Sequence, residues 1–280
     1  MLASNVAMTP IQECFAEFIA RISLGEMERE SMLARTGALM EHVSRGSGIS
    51  ECIITGSIVR STAIKRFSDV DVIAILDPLL AQQLTVEYSL DLIIKALSTT
   101  SYDAGVSGAA VSVSLAGDFC VDFLPAFDRR DQHGNRYFDI PRNDRKGWLR
   151  YRPEDLSRRV SSAAQTCGPD FKKLVRSAKW WARINRQPIA SYELELIACD
   201  TFAAGLPELP RAVAEFFRNA ASCLGSQVHV KAPGLKGASD AARQACELQD
   251  IGDMVRSTSL WRRLFGEQFP IIVDRDHLHS

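Results

Sequence analysis

The segment at residues 56–76, GSIVRSTAIKRFSDVDVIAIL, leaves this 280-residue chain fewer ways to fold than any other stretch. Its second half alternates and is rich in Val and Ile, which predicts a strand over residues 67–76, closed by Asp77-Pro78. Residues i and i+2 of a strand share a face, so Asp69 and Asp71 should project their carboxylates side by side, with Val70 and Val72 packed behind. Two neighbouring carboxylates repel unless a cation lies between them. Hard divalent ions such as Mg²⁺ take carboxylate oxygens together with substrate phosphates. The pattern points to a metal site for nucleoside triphosphate chemistry.

Around that strand the chain falls into two halves. Residues 8–45 read as one long helical segment, with Thr9-Pro10 supplying an N-cap and a first-turn proline. A short buried strand at 52–54 leads into Gly56-Ser57, and a short helix is expected over 58–63. A helix over 80–97 precedes two strands, 109–115 and 119–124, joined by a Gly117-Asp118 turn and stopped by Pro125. Beyond about residue 145 the period becomes helical, over 154–164, 169–186, 191–204, 207–224 and 238–265. This is an α/β half followed by an all-helical half, and a cleft between them is the natural place for a ligand.

No apolar run approaches the ~20 residues that span a bilayer, and the N-terminus has no basic flank and carries Glu13 and Glu17, unlike a signal peptide. A cytoplasmic protein with no membrane partner is expected. Seven cysteines are scattered singly, as buried thiols are, rather than in a disulfide or zinc pattern. The net charge of −1 hides an uneven spread, since residues 129–186 hold 16 Lys+Arg against 6 Asp+Glu. A basic middle section suits a polyanionic substrate, although such runs are more often solvated helix faces.

A third carboxylate, Asp122, lies in the otherwise apolar strand FCVDFLPAF, where a charge is costly unless paired or bound to metal. If that strand lies beside the first, Asp69, Asp71 and Asp122 converge. Two Mg²⁺ ions held by them would stabilise the attacking and leaving oxygens of an in-line displacement at phosphorus. Asp122 would also help take the proton of the acceptor hydroxyl. Gly56 lets the backbone approach a phosphate, and the Ser57 hydroxyl adds a donor.

Gly-Ser, 11 residues, then Asp-x-Asp on a strand resembles the nucleotidyltransferase superfamily related to DNA polymerase β. Within it, GSIVRSTAI is similar to the Gly-Ser-x-x-Arg-Gly-Thr of cGAS/DncV-like (CD-NTase, SMODS) enzymes; Arg60 and Thr62 match, while Ser61 replaces the usual Gly. FKKLVRSAKWWARINRQPIASYELELIA, at 171–198, resembles the family's Lys-Trp-Trp helix, loop and Ser-Tyr-x-x-Glu, and LWRRLFGEQFP its closing helix.

The resemblance implies an α/β nucleotidyltransferase core, a mixed β-sheet with helices, over 1–145 and including the N-terminal helix. An all-helical nucleotide-binding lobe over 146–280 would follow, the whole bilobal with a central active-site cleft. It also implies that Lys179 and Ser191 hold the triphosphate and that Tyr192 stacks on the donor base. The expected activity is the joining of NTPs, ATP among them, into a cyclic di- or trinucleotide in bacterial antiphage (CBASS-type) signalling. Two Mg²⁺ ions would assist, with Mn²⁺ as an alternative, and pyrophosphate would be released. A separate effector protein would respond to the product, and nucleic acid would not be required. The alternative is a template-independent enzyme making linear oligonucleotides or extending an RNA 3′ end. Nucleotide transfer onto protein and a silent nucleotide-binding module are further readings.

Overall fold

A computed structural model describes residues 8–80, 85–115, 119–225 and 233–273. The first part of the chain runs α1 (Pro10–Ile22), α2 (Glu26–Ser44), β1 (Ile49–Thr55), α3 (Gly56–Arg60), β2 (Val70–Leu76) and α4 (Val86–Leu97). Then come β3 (Ala104–Ser107), β4 (Ala110–Leu115), β5 (Phe119–Arg130), β6 (Arg136–Pro141) and β7 (Trp148–Tyr151). The remainder is helical: α5 (Pro153–Cys167), α6 (Asp170–Ile184), α7 (Ser191–Thr201), α8 (Leu209–Gly225), α9 (Gly234–Asp250) and α10 (Met254–Phe265). The expected Gly117-Asp118 turn lies outside the described residues. No helix of the described residues is long and apolar enough to cross a membrane.

Two compact units result, Leu24–Arg158 and Met1–Ser23 with Arg159–Ser280. The α/β unit holds a mixed sheet of order β1-β2-β5-β4-β3, with β6 pairing β5 and β7. Among the described residues only β2 and β5 run parallel; the other pairs are antiparallel. Alternation decides the two faces. Val70, Val72, Ala74 and Leu76 of β2 and Val121 and Phe123 of β5 join α2 and α4 in one core. The other face carries Ile73, Ile75 and Ala126, which pack with Phe138, Ile140 and Tyr151 of the β6–β7 hairpin.

Several elements differ from the sequence-based expectation. The strand after Gly56-Ser57 begins at Val70, not at 67, and β3, β6 and β7 were not foreseen. Pro125 does not end its strand. It falls between Phe123, the last partner of β4, and Phe127, the first partner of β6, so its missing N–H breaks no ladder on that side. The single helix expected over 8–45 is two, because Ser23 and Gly25 are extended. The helix expected over 238–265 is likewise two. Gly252, at φ 82°, ends one, and Asp253 caps the next by accepting from the Arg256 N–H at 3.0 Å.

The division at 145/146 is also corrected, because α1 belongs to the helical unit. Thr9 and Gln12 form its capping box, with Pro10 in the first turn, as the sequence indicated. Its buried stripe includes Ile11, Phe15, Phe18 and Ile22, an apolar face that must be covered. Phe15 meets Trp261 and Phe269 edge-on, each at 5.0 Å, and Phe18 stacks on Phe265 at 4.6 Å. The first helix of the chain is thus held by the last one.

Candidate active site

The strand registers bring two of the three aspartates together directly. Asp71 on β2 is the partner of Asp122 on β5 in the parallel pair. Asp71 also faces Thr55 on β1, and Asp122 faces Ser112 on β4, which faces Gly105 on β3. Register partners share a face, so Thr55, Asp71, Asp122 and Ser112 form a row of polar side chains across the sheet. The row lies on the face opposite the α2–α4 core. Asp69, one residue before β2, precedes Asp71 at the spacing that returns a side chain to the same face.

The three carboxylates sit in different surroundings. Asp71 is exposed and Asp122 half-buried. Oδ1 of Asp122 is buried with no hydrogen-bond partner, an expensive arrangement for an acceptor unless something else satisfies it. Asp69 accepts from the backbone N–H of Cys120 on β5 at 3.1 Å. That bond ties the end of β2 to β5. Among the described residues, no group of three or more His, Cys, Asp and Glu side chains is gathered closely enough to hold a metal ion. The structure therefore brings the acidic positions together on the backbone, while their side chains do not close around a common point. An uncompensated acceptor on Asp122, next to Asp71 in one ladder, nevertheless fits a cation site.

Gly56 is required where it stands. It opens α3 immediately after β1, at φ 78°, and a Cβ there would lie 1.7 Å from Oδ2 of Asp71. The backbone of the Gly-Ser turn is thus pressed against the Asp71 carboxylate. Ser57 follows, half-buried in α3, and its carbonyl accepts from the Thr62 N–H at 2.9 Å. Ser61 caps α3 in the left-handed region at φ 58°, a conformation that Gly adopts without strain and Ser does not. The position where this chain departs from the family pattern is thus a position with a backbone reason for Gly.

Tyr151 was not foreseen as a neighbour of this site. Burial pushes its phenol above the usual range, while a side-chain hydrogen bond with Thr55 and the nearby Arg60 act in the opposite sense and the Asp71 charge adds to the rise. Arg60 itself is only 9% exposed. Tyr151 belongs to β7, a strand whose short, half-exposed sequence WLRY gives little sign of itself.

The residues expected from the second block lie in the helical unit and are not alike. Lys179 is 2% exposed and its ammonium donates to the fully buried Glu195. This buried pair ties α6 to α7. Ser191 is the first residue of α7, half-buried, but the N-cap is Ala190, whose N–H donates to Glu193 at 2.9 Å. Tyr192 is 54% exposed and borders a hollow of about 470 Å³ with Leu196, Asn219 and Ser222 of α7 and α8.

A mixed sheet that carries a Gly-Ser turn against the first of two laddered aspartates defines a nucleotidyltransferase. The chain belongs to the family of the Second Messenger Oligonucleotide or Dinucleotide Synthetase domain, whose model matches residues 8–163. Solved structures share the fold. CdnC of E. coli MS115-1, with ATP, is 18% identical at a TM-score of 0.71, over 92% of this chain and 98% of that one. The CD-NTase CdnG of Bradyrhizobium diazoefficiens, in complex with GTP, is 13% identical at a TM-score of 0.71, over 93% and 96%. DncV of Vibrio cholerae, a cyclic AMP-GMP synthase and prokaryotic cGAS homolog, is 10% identical at a TM-score of 0.68, over 91% and 97%. No curated protein matches the chain in sequence.

Proposed function

We propose that this enzyme joins nucleoside triphosphates into a cyclic di- or trinucleotide second messenger and releases pyrophosphate, in bacterial antiphage signalling of the CBASS type. The observation that carries the reading is the laddered pair of Asp71 and Asp122 with the unpartnered Oδ1 of Asp122. Asp69, Asp71 and Asp122 would hold two Mg²⁺ ions, with Mn²⁺ as an alternative. The backbones of Asp71 and Asp122 are already neighbours, so side-chain rotation is the adjustment required. When bound, such ions offset charge on the attacking and leaving oxygens at phosphorus.

The chain's own groups do the rest. Gly56, lacking a Cβ, lets the backbone of the turn approach a phosphate, and the Ser57 hydroxyl donates to it. Oδ1 of Asp122 accepts the proton of the attacking ribose hydroxyl. Tyr151 and Thr55 hold the end of β1, and with it the Gly56 turn, beside Asp71. Ser191 and Tyr192 are proposed nucleotide contacts of the helical unit, beside Lys179, whose bond to Glu195 holds α6 against α7. ATP is expected among the substrates, the product would act on a separate effector protein, and the setting would be the cytoplasm.

The test is an incubation of labelled NTPs with Mg²⁺ and no nucleic acid, read by chromatography and mass spectrometry. A phosphatase-resistant cyclic product is expected, with turnover falling about a hundredfold or more in Asp122→Asn. Strict dependence on an added RNA 3′ end would assign the alternative of end extension, and full turnover in Asp122→Asn would remove the enzyme reading.

A further inference from the structure

Away from the aspartates, β5, β6 and β7 build a second charged feature. Its β5–β6 turn is organised by the carboxylate of Asp131. That group accepts from the N–H of His133 at 2.9 Å, from the N–H of Asn135 at 3.0 Å and from Arg152 at 2.6 Å. So engaged, it offers little to the other cations of the turn. Two of these, Arg130 and Arg150, line one hollow of about 430 Å³ together with Asp131, Gln132, His133 and Tyr137. Arg129, Arg136 and Arg152 are each paired with a carboxylate. Arg130 instead bonds the Gly134 carbonyl at 3.1 Å, and Arg150 lies 4.1 Å over the Tyr137 ring. Neither makes an ion pair among the described residues.

Stacking on Tyr137 occupies the face of the Arg150 guanidinium and leaves its N–H edge for a ligand. Two such forks over one polar hollow match tetrahedral oxyanions, which guanidinium binds in bidentate fashion. The hollow is separate from the aspartates. Arg130 lies eight residues beyond Asp122 on the same strand, roughly 25 Å at the usual rise. Arg150 alternates with Tyr151, so it points away from the face on which Tyr151 packs against Ile73 and Ile75, while Arg130, the register partner of Arg136, reaches the hollow from the end of β5.

We propose that this hollow is a phosphoryl-anion site, in which the guanidiniums of Arg130 and Arg150 hold the phosphate oxygens of a nucleotide or of a nucleic-acid strand. The two sources share one chemistry and are separated by experiment. Binding of a fluorescein-labelled oligothymidylate is followed by anisotropy in EDTA, where divalent-dependent binding at the aspartates is silent. No turnover is read, so failure here is distinct from failure of the proposed activity. Arg130→Ala/Arg150→Ala should weaken binding at least fivefold and flatten the log–log salt slope by about 1.4, two phosphate contacts at about 0.7 each. The charge-matched control Arg142→Ala/Lys146→Ala, on the exposed β6–β7 turn, should change affinity less than twofold. Displacement of the oligonucleotide by millimolar pyrophosphate assigns the site to free phosphates; displacement by unlabelled oligonucleotide alone assigns it to a strand. Equal weakening in both variant pairs, or in neither, overturns the proposal.

Discussion

Gly56 and Asp71 are coupled through a single missing atom. The Cβ of Gly56→Ala would meet Oδ2, Cγ and Cβ of Asp71 at 1.7, 2.7 and 2.9 Å, so the carboxylate must leave its place or the turn must open. A positive φ adds about 1–2 kcal/mol of strain for any L side chain. Displacing a catalytic group by an ångström can cost a hundredfold. Gly56→Ala should therefore lower kcat by about that factor or more while leaving a folded protein by circular dichroism. Tyr151 makes a different prediction, about pH. Its folded phenol holds its proton above the usual range, so the folded state binds that proton more tightly than the unfolded chain does. The associated stability is complete below the ordinary phenol value near 10 and is lost as pH rises from there through the folded value. Urea-unfolding stability should thus fall less steeply above pH 10 in Tyr151→Phe than in the wild type, and ultraviolet titration at 295 nm should show one late-ionising tyrosine fewer.

At the scale of elements, α6 and α7 show how far a motif can be read. Lys179 and Ser-Tyr-x-x-Glu are visible in sequence as a pair of conspicuous blocks, but a lysine on an amphipathic helix carries no sign of whether it faces water or core. Its partner Glu195 lies 16 residues on, and their bond exists only once α6 packs on α7. The aspartates of the Asp69-x-Asp71 pair were legible for the opposite reason. Their spacing is local, and period-2 alternation states which face they share before any long-range contact forms. Strands β6 and β7 were not legible because Arg136, Asp139 and Arg150 interrupt any apolar run, and neither the ion pairs of Arg136 and Asp139 nor the ring beneath Arg150 is revealed by the chain order. The buried pair has a measurable signature. Removing one member strands the other charge, which costs about 3–5 kcal/mol, whereas replacing both with apolar groups is often neutral. Lys179→Met should lose about that much in urea unfolding, and Lys179→Met/Glu195→Leu should recover most of it. Near wild-type turnover in the recovered double variant would separate the structural role of Lys179 from contact with a triphosphate.

For the whole molecule, the decisive feature is that the chain returns to its beginning. The apolar stripe of α1 was legible from its period, but its partners, Trp261, Phe265 and Phe269, lie some 250 residues later, and nothing local specifies them. The α/β unit is therefore inserted between α1 and the rest of the helical unit, and both of its ends are tied into that unit's chain. Phe15 is 1% exposed at the centre of this closure, with three aromatic rings within 6.2 Å. Large-to-small truncation of such a buried ring costs about 3–5 kcal/mol, through lost transfer energy and the cavity left behind. The loss in Phe15→Ala belongs to the helical unit, which contains Trp180, Trp181 and Trp261, whereas Trp148 lies in the α/β unit. Tryptophan fluorescence should follow a transition moved to lower denaturant by this amount. Trp148, retained alone after replacing the other three with Phe in both backgrounds, should report a smaller shift, because its own core keeps all of its contacts. Equal shifts from both probes would mean that the α/β unit has no stability beyond that of the helical frame into which it is inserted.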